Sequence, residues 1–359
     1  MSVTIDGTNG ITAPTLDLTS GQLSVADGGT GTATGENLWR NRIINGAMDV
    51  WQRATTYALT NAITYGSADR WNFWQGGASA SGIANQVASG LTGFRYAVKL
   101  GRNSGSALTG TINALQALET VSSIPMQGQT ITFSLYMKAG ANFSSASNLI
   151  SIALYTGTGT DQSAASLGSW TGVANPINAI QAITTSWVKY TYTATLSSSA
   201  TQVGIILTYT PTGTAGADDN IYITGVQLEI GSTATSFEYR PYGTELALCQ
   251  RYYEAISVAN GGATNMSYGS ASATIAGAAR VTLIFKTTKR AAPTMTYSAA
   301  NTFYLQGNSN NNAVPTAIAD LNSTVYADYF SITATSTNGF AYVLIDAAGA
   351  SSISASSEL

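Results

Sequence analysis

The chain has 359 residues, of which 9% are charged, and its formal net charge is −3 at pH 7. It contains no histidine and one cysteine, Cys249. This excludes catalytic units with an imidazole base, zinc sites built from histidine and cysteine, and an intrachain disulfide. The small negative charge provides no field that would attract nucleic acid or an anionic membrane. Because no run of about 18 apolar residues exists, we also expect no membrane insertion.

Residues 1–36 differ from the rest of the chain because they contain no aromatic residue, no lysine and no arginine. Turn-forming pairs such as Asp6-Gly7 and Asn9-Gly10 interrupt short alternating pieces. A segment with so little apolar bulk cannot form a core of its own. Two interpretations are open: a flexible tail, or an attachment segment that becomes ordered by adding strands to a partner or to sister chains.

Residues 37–243 contain many short strand patterns without long helical patterns between them. In Ile131–Lys138, apolar and polar residues alternate strictly, which is typical of a strand with one buried face. The alternation changes phase at Gly225, where we predict a β-bulge. Strands that recur in this way indicate an antiparallel sandwich or jelly roll. Further strands are predicted at Ile150–Tyr155, Val188–Ala194, Gly204–Tyr209 and Ile221–Leu228.

A short helix is predicted over residues 244–254, capped by Thr244, and we place the boundary between two domains there. Strand patterns then resume, and Val281, Leu283 and Phe285 form the apolar face of one strand. We therefore predict an all-β chain in four parts. These are an extended N-terminal attachment segment (1–36), an antiparallel jelly-roll sandwich (37–243), a short connecting helix (244–254) and a second, smaller β-sandwich (255–359).

Two motifs have both a structural and a functional interpretation. Trp71-Asn72-Phe73-Trp74 is either an edge strand whose tryptophans lie in the core and at its rim, or a platform on which sugar rings stack. Asp218-Asp219-Asn220 is either a polar turn that opens the next strand or part of a calcium site. The acidic residues form no dense cluster with aromatic residues, so glycoside hydrolysis is not expected.

The one basic cluster comprises Arg280, Lys286, Lys289 and Arg290. It is either a solvated strand end or a docking patch for an acidic glycan or a neighbouring subunit. Cys249 falls on the apolar stripe of the predicted helix, which favours a small core residue over a reactive thiol. We expect no catalytic residue, no cofactor and no bound metal.

Several segments resemble bacteriophage tail-fibre or receptor-binding proteins. The most specific match is the block Gly225–Gly231 followed by Phe237–Glu254. Asn41–Arg53 resembles the entry strand of the sandwich domain of these proteins, and Ala68–Trp71 resembles a following element. The likeness covers residues 1–254 well and little of the remainder. Weaker matches are Gly28–Gly31 and Lys289–Thr294.

The resemblance implies a virion protein that forms a homotrimer, with a jelly roll similar to carbohydrate-binding modules. Its N-terminus would dock to a tail or baseplate protein, and its C-terminal domain would bind a glycan or protein receptor on the host cell surface. In this family the jelly roll often serves as a spacer. We favour a receptor-binding tail fibre without enzymatic activity. The alternatives are a structural virion protein that decorates the head or connects the tail, and a polysaccharide depolymerase.

Aromatic and amide side chains of the C-terminal domain are the predicted receptor contacts. Tyrosine rings can stack on sugar faces, while amides of the polar loop Asn308–Asn312 hydrogen-bond hydroxyl groups. No lysine or arginine follows Arg290, which argues against electrostatic capture of an anionic surface. The predicted site residues are Tyr297, Phe303, Tyr304, Asn308, Asn310, Tyr326 and Tyr329.

Overall fold

A computed structural model of the chain describes residues 39–256, 267–275, 277–307, 313–334, 341–346 and 351–359. The chain divides into two compact units, Met1–Arg40 and Asn41–Leu359, and the elements of the fold lie in the second unit. The predicted attachment segment, residues 1–36, lies outside the described residues. Within the described ranges, no helix has the length and hydrophobicity that a membrane span requires.

The first part of the second unit is a jelly-roll sandwich of two antiparallel sheets with one core between them. Its strands are β1 (Thr56–Ala58), β2 (Asn72–Gln75), β3 (Gly82–Ala88), β4 (Tyr96–Arg102), β5 (Ile112–Ala117), β6 (Thr130–Ala139), β7 (Leu149–Gly157), β8 (Ala174–Ala182), β9 (Val188–Thr195), β10 (Gln202–Tyr209) and β11 (Asn220–Ile230). The six-stranded sheet has the order β1-β3-β4-β11-β6-β9, and the five-stranded sheet has the order β2-β5-β10-β7-β8. The predicted antiparallel jelly roll is confirmed.

Alternation of side chains along each strand builds the core of this sandwich. On β6 the side chains of Ile131, Phe133 and Leu135 are fully buried between the sheets, as the strict alternation predicts. Trp71 and Phe73 enter the same core, and their rings stack with centroids 6.2 Å apart. The five strands predicted between residues 131 and 228 are confirmed as β6, β7, β9, β10 and β11.

Residues 41–53 form no strand, so the expectation of an entry strand at this position is wrong. Buried amide side chains take over the hydrogen bonding that a sheet ladder would supply. The Asn41 side chain accepts a hydrogen bond from the backbone N–H of Leu228 at 3.1 Å. The Gln116 amide accepts from the N–H of Ile44 at 2.9 Å and donates to the carbonyl of Ile44 at 2.8 Å. The segment therefore has paired backbone groups although it is buried.

Asn45 is the most heavily bonded of these amides. Its Oδ1 accepts from the backbone N–H groups of Asp49 and Val50, both at 2.9 Å. Its Nδ2 donates to the carbonyls of Val50, at 2.8 Å, and Asp69, at 3.1 Å, and its own carbonyl accepts from Trp71 Nε1 at 3.1 Å. The backbone of Asn45 has φ +58°, a conformation that asparagine tolerates better than most residues. One side chain thus fixes the turn that leads to Asp49.

A β-bulge interrupts β11 at Gly225. The pairing of β11 with β6 shifts register between Thr224 and Gln227, and Gly225 has φ +60°. A Cβ at this position would lie 2.7 Å from Phe94 Cζ and 2.8 Å from Tyr136 Cδ2. The predicted bulge is confirmed, and both the backbone angle and the ring contacts require glycine.

The connecting helix is shorter and begins earlier than predicted. α1 is a single turn, Thr120–Ser123, and α2 covers Tyr242–Gln250 with Pro241 at the N-cap. Thr244 lies inside the first turn of α2, where its N–H donates to the Pro241 carbonyl at 2.9 Å, so it is not the cap. Short 3₁₀ helices are Ile124–Met126, Ala146–Asn148, Ala164–Ser169 and Ala300–Thr302.

The second part of the unit is a smaller sandwich that begins directly after α2. Its strands are β12 (Tyr253–Ile256), β13 (Ser267–Ile275), β14 (Ala278–Ile284), β15 (Thr294–Tyr297), β16 (Phe303–Gln306), β17 (Ala317–Ser323), β18 (Ala327–Thr333), β19 (Ala341–Asp346) and β20 (Ile353–Ser356). The sheets have the orders β12-β20-β15 and β16-β19-β13-β14-β18-β17. Val281, Leu283 and Phe285 are buried, which confirms the alternation predicted for β14.

Buried charges connect the two sandwiches. Arg70, on the first sandwich, is almost fully buried and forms an ion pair with Glu358, which follows β20. The Arg70 guanidinium also lies 3.5 Å from the centre of the Tyr252 ring, and Nη2 donates to the Ala117 carbonyl at 2.7 Å. Arg53 binds the same carboxylate at 3.1 Å. A guanidinium buried in this way depends on its anionic partner.

Gly225→Ala is expected to lower the free energy of unfolding by about 1–3 kcal/mol, because the new Cβ is strained at positive φ and overlaps two aromatic rings. Denaturant unfolding measures the change. Gly243→Ala is the matched control, since a Cβ at this position would meet no atom within 4 Å. Gly243 lies in α2, where alanine is favoured over glycine by up to about 1 kcal/mol. Equal stability of the two variants would contradict the assigned role of Gly225.

Glu358→Gln is expected to lower the free energy of unfolding by about 3 kcal/mol, because the buried Arg70 loses its counter-charge. The control is Asp161→Asn, which breaks the more exposed Arg290–Asp161 pair, 3.4 Å apart, and should cost less than about 1 kcal/mol. Thermal or denaturant unfolding of both variants checks the difference. A loss no larger for Glu358→Gln than for Asp161→Asn would show that the Arg70 pair does not stabilise the junction.

Candidate functional site

Two of the predicted contact residues point into the core of the second sandwich. The Phe303 side chain is fully buried and packs against Tyr268, with ring centroids 5.4 Å apart. The Tyr297 ring packs against Phe330 at 5.1 Å, and its hydroxyl donates to Asp328 Oδ2. Burial and the Asp328 carboxylate raise the pKa of Tyr297 well above its usual range. Phe303 is therefore closed to a ligand, whereas Tyr297 is half-buried. Asn308 and Asn310 lie outside the described residues.

The other three tyrosines have solvent-accessible side chains but do not form one cluster. Tyr326 is 65% exposed, Tyr329 is 37% exposed and Tyr304 is half-buried. Tyr329 lies on β18 and Tyr304 on β16, which are four strand spacings apart, or about 19 Å. Arg280 lies 5.6 Å from the centre of the Tyr329 ring. A single small ligand therefore cannot contact Tyr304 and Tyr329 together.

Between these tyrosines, the outer face of the six-stranded sheet of the second sandwich carries polar side chains together with the exposed Ile284 and with Arg280. Strand pairing places Tyr329 opposite both Thr282 and Asn322. Ser270 pairs in turn with Val343 of β19. This face therefore offers hydroxyl and amide groups beside apolar ones, and the receptor contact expected there stays a prediction.

A concave apolar site lies instead on the outer face of the five-stranded sheet of the first sandwich. We call it the Trp74 cleft. Leu115 and Ile206, which pair directly across β5 and β10, form its floor. Trp74 on β2 and Tyr155 on β7 stand at opposite sides, three strand spacings or about 14 Å apart across the sheet. The cleft has a volume of about 230 Å³, and residues 164–169 form its upper edge.

The upper edge of the Trp74 cleft is a 3₁₀ helix held by one buried tryptophan. Trp170 is buried, and its Nε1 donates to the Ser163 carbonyl at 3.0 Å. Leu167 packs under the same helix against the sheet. Ser166 and Ser169 line the cleft, so hydroxyl groups stand above an apolar floor. This combination offers a few polar groups in a mainly apolar recess.

Sequence reasoning identified half of the Trp74 cleft. The alternation in Trp71–Trp74 predicted that Trp74 faces away from Trp71, and the structure confirms this and places β2 at the edge of its sheet. Tyr155 was missed as a site residue. The sequence did contain a sign that Tyr155 faces outward. It ends the Ile150–Tyr155 strand pattern, in which Ile150, Ile152 and Leu154 form the inward face. The strand order that brings β7 near β2 could not be read from the sequence.

The two aspartates considered as a calcium site are already neutralised by basic side chains. Asp219 is buried, with Oδ2 2.7 Å from Arg102 Nε and Oδ1 accepting the Ser144 N–H at 2.8 Å. Asp218 lies 3.2 Å from Lys99 Nζ. Burial tends to raise the pKa of Asp218, but hydrogen bonds from Tyr222 and Lys99 outweigh it and lower the pKa. Among the described residues, no group of three acidic, histidine or cysteine side chains could hold a metal.

The basic cluster does not form a patch. Lys289 is buried, with Nζ 2.5 Å from Glu254 and 2.6 Å from the Gln250 carbonyl, so both interpretations of the cluster are wrong for this residue. Arg290 bonds the Ser357 carbonyl at 2.8 Å and pairs with Asp161. Cys249 is buried, and burial raises the pKa of its thiol, which confirms the core interpretation.

No family model and no curated protein matches the chain. Similar solved structures include a CBM4 carbohydrate-binding module, at 18% identity and TM-score 0.32, covering 52% of this chain and 98% of that one. A xylan-binding domain from CBM 22 has 18% identity and TM-score 0.30, covering 50% and 96%. The enzymatically active domain of bacteriophage CBA120 tailspike protein 4 has 13% identity and TM-score 0.31, covering 54% and 22%. The fold is assigned from the strand order of the chain itself.

Calcium or EDTA is expected to leave the midpoint of thermal unfolding unchanged, because Asp218 and Asp219 are engaged by Lys99 and Arg102. Asp219→Asn should lower the free energy of unfolding by about 3 kcal/mol, since it strands the buried Arg102. Differential scanning fluorimetry with and without calcium tests both expectations. A rise in the midpoint with calcium that is lost in Asp219→Asn would restore the calcium interpretation.

Proposed function

We propose that the protein binds glycans without cleaving them and that the Trp74 cleft holds the glycan. The observation that carries the proposal is the placement of Trp74 and Tyr155 on either side of an apolar floor formed by Leu115 and Ile206. Sugar rings have apolar C–H faces that pack on aromatic rings and apolar surfaces. The separation of the two rings across the sheet suits an oligosaccharide better than one sugar unit.

The polar groups around the cleft fit hydroxyl recognition. Ser166 and Ser169 stand at its upper edge, and the Tyr155 side chain brings a phenolic hydroxyl. On the same outer face, Thr208 donates to the buried Asn113 Oδ1 at 2.9 Å. None of the described residues that line the cleft is charged. This composition favours a neutral glycan over an acidic one.

In this proposal the protein belongs to a phage tail fibre and acts in the virion. The resemblance of Asn41–Arg53, Gly225–Gly231 and Phe237–Glu254 to tail-fibre proteins supports this role. It also supports a homotrimer whose N-terminal segment docks to a tail or baseplate protein. The outer surface of the second sandwich, with Tyr326 and Tyr329, is then the predicted contact to the host receptor. The Trp74 cleft adds a glycan contact in the first sandwich.

Trp74→Ala and Tyr155→Ala are each expected to weaken glycan binding at least about tenfold, because each removes one stacking ring. The measurement is binding of purified protein to an array of bacterial surface polysaccharides, followed by titration with the best ligand. Trp187→Ala is the matched control: Trp187 is half-buried and adjoins β9, at the edge of the other sheet.

The same array decides where the glycan binds. If Tyr326→Ala with Tyr329→Ala abolishes binding while Trp74→Ala and Tyr155→Ala bind like the unmodified protein, the contact lies on the second sandwich and the cleft assignment fails. Release of reducing sugars from the bound polysaccharide would contradict the non-catalytic role. Binding to no polysaccharide at all would favour a structural virion protein.

A further inference from the structure

A second cleft, of about 430 Å³, lies at one end of the first sandwich. It is formed by the segment before β1, the start of β4 and the first residue of α2. The residues that matter for its chemistry are Asp49, Trp51, Arg95, Tyr96 and Tyr242. None of them belongs to the Trp74 cleft, and none is among the contacts predicted from the sequence. Its volume falls within the range of small-molecule sites.

The cleft is lined by one acidic and one basic side chain, Asp49 and Arg95, that form no ion pair with each other. Asp49 Oδ1 is buried and has no hydrogen-bond partner among the described residues. The Arg95 side chain is exposed, and its guanidinium lies 4.8 Å from the centre of the Tyr96 ring. The Asp49 carboxylate and the Arg95 guanidinium form no ion pair with each other within the described part of the chain. A buried carboxylate oxygen with no donor is costly unless something else supplies one.

The backbone around Asp49 is held rigidly. The Asn45 side chain accepts the N–H groups of Asp49 and Val50, so the carboxylate projects from a fixed turn. Trp51 is half-buried, and its Nε1 donates to the Met48 carbonyl at 2.7 Å. The indole is therefore fixed at the cleft wall with its N–H satisfied. Such preorganisation lowers the entropic cost of binding.

Aromatic surface is the second property of this cleft. Tyr242 is 60% exposed although it opens a well-formed helix. Together with Trp51 and Tyr96 it gives three rings around the unpaired carboxylate and guanidinium. A ligand for this site needs an apolar face for the rings, a donor for Asp49 and an acceptor for Arg95.

We propose that this cleft binds a single hexopyranose unit of a neutral saccharide. One sugar hydroxyl donates to Asp49, a neighbouring hydroxyl accepts from Arg95, and the ring packs against Trp51 or Tyr242. Vicinal hydroxyls bridge a carboxylate and a guanidinium that are too far apart to pair directly. A small zwitterion could also satisfy both charges and is therefore included as a competing ligand in the test. The site is independent of the Trp74 cleft and would stand if that cleft proved empty.

The test uses the tryptophan side chains as separate reporters. The chain has six tryptophans, so protein labelled with ¹⁵N at the indole nitrogens gives at most six indole signals. Trp51→Phe assigns the Trp51 signal, and Trp74→Phe assigns the signal of the other cleft. Methyl glucoside, methyl galactoside and methyl mannoside are titrated in turn, with glycine betaine as the zwitterionic probe. We expect at least one glycoside to move the Trp51 signal saturably.

Asp49→Asn and Arg95→Gln are each expected to raise the dissociation constant about tenfold or more, because each removes a charge-assisted hydrogen bond. Arg280→Gln is the matched control, since Arg280 also lies over a tyrosine ring but on the second sandwich. The signals of the buried Trp71 and Trp170 report whether each variant is folded. If Asp49→Asn disturbs these signals, the test rests on Arg95→Gln alone. This substitution should not affect folding, because the exposed Arg95 guanidinium forms no hydrogen bond in the described part of the chain.

Three results would overturn this inference. The first is that none of the glycosides moves the Trp51 signal. The second is that glycine betaine moves it and the glycosides do not. The third is that Asp49→Asn and Arg95→Gln bind like the unmodified protein. A shift confined to the Trp74 signal would support the proposed function while refuting this second site, so the two proposals can fail separately.

Discussion

Buried amide side chains supplement a few backbone hydrogen bonds to β11 in residues 41–50, and the first sandwich depends on both. Asn41, Asn45 and Gln116 bond the backbone of this segment, and the Asn41 side chain also accepts the N–H of Leu228 on β11. Without these amides the segment would bury unpaired N–H and carbonyl groups, which is strongly unfavourable. The same amides set the direction of the chain toward Asp49 and Trp51. The hydrogen bonds that satisfy the backbone of this segment therefore also shape the second cleft, which Asp49 and Trp51 line.

Local patterns predicted the strands of this chain well because each depends on residues that are close in sequence. Strict alternation located β6 and β14, and the phase change at Gly225 located the bulge. The limits of α2 were predicted wrongly. Pro241 at the N-cap sets its start, and the chain after Gln250 leaves the helix because Tyr253 pairs with Ser356 in a sheet. The absence of a strand at residues 41–53 was missed for a similar reason, since one of the amides that satisfies the segment, Gln116, is 72 residues away from Ile44.

The candidate sites were less predictable than the fold because they are assembled across strands. Trp74 could be assigned to an outer face, but Tyr155 joins it only through the order β2-β5-β10-β7. Phe303 and Tyr297 carry the residue types of a sugar-binding surface and yet face inward, because their strands place them toward Tyr268 and Phe330. The low charge was informative in a different way. Lys289, Arg102 and Arg70 are all committed to buried pairs, so these three side chains have no free charge for a ligand.

The pair between Arg70 and Glu358 also has a consequence for synthesis on the ribosome. These residues are 288 positions apart, so Arg70 is translated long before its counter-charge exists. Until residues 353–358 emerge, β12 and β15 lack the strand that lies between them, and Arg70 has no anion from the second sandwich. The buried environment of Arg70 is therefore completed only when this segment has been translated. Contacts of such long sequence separation slow folding, and completion of both sandwiches is coupled to the same late segment.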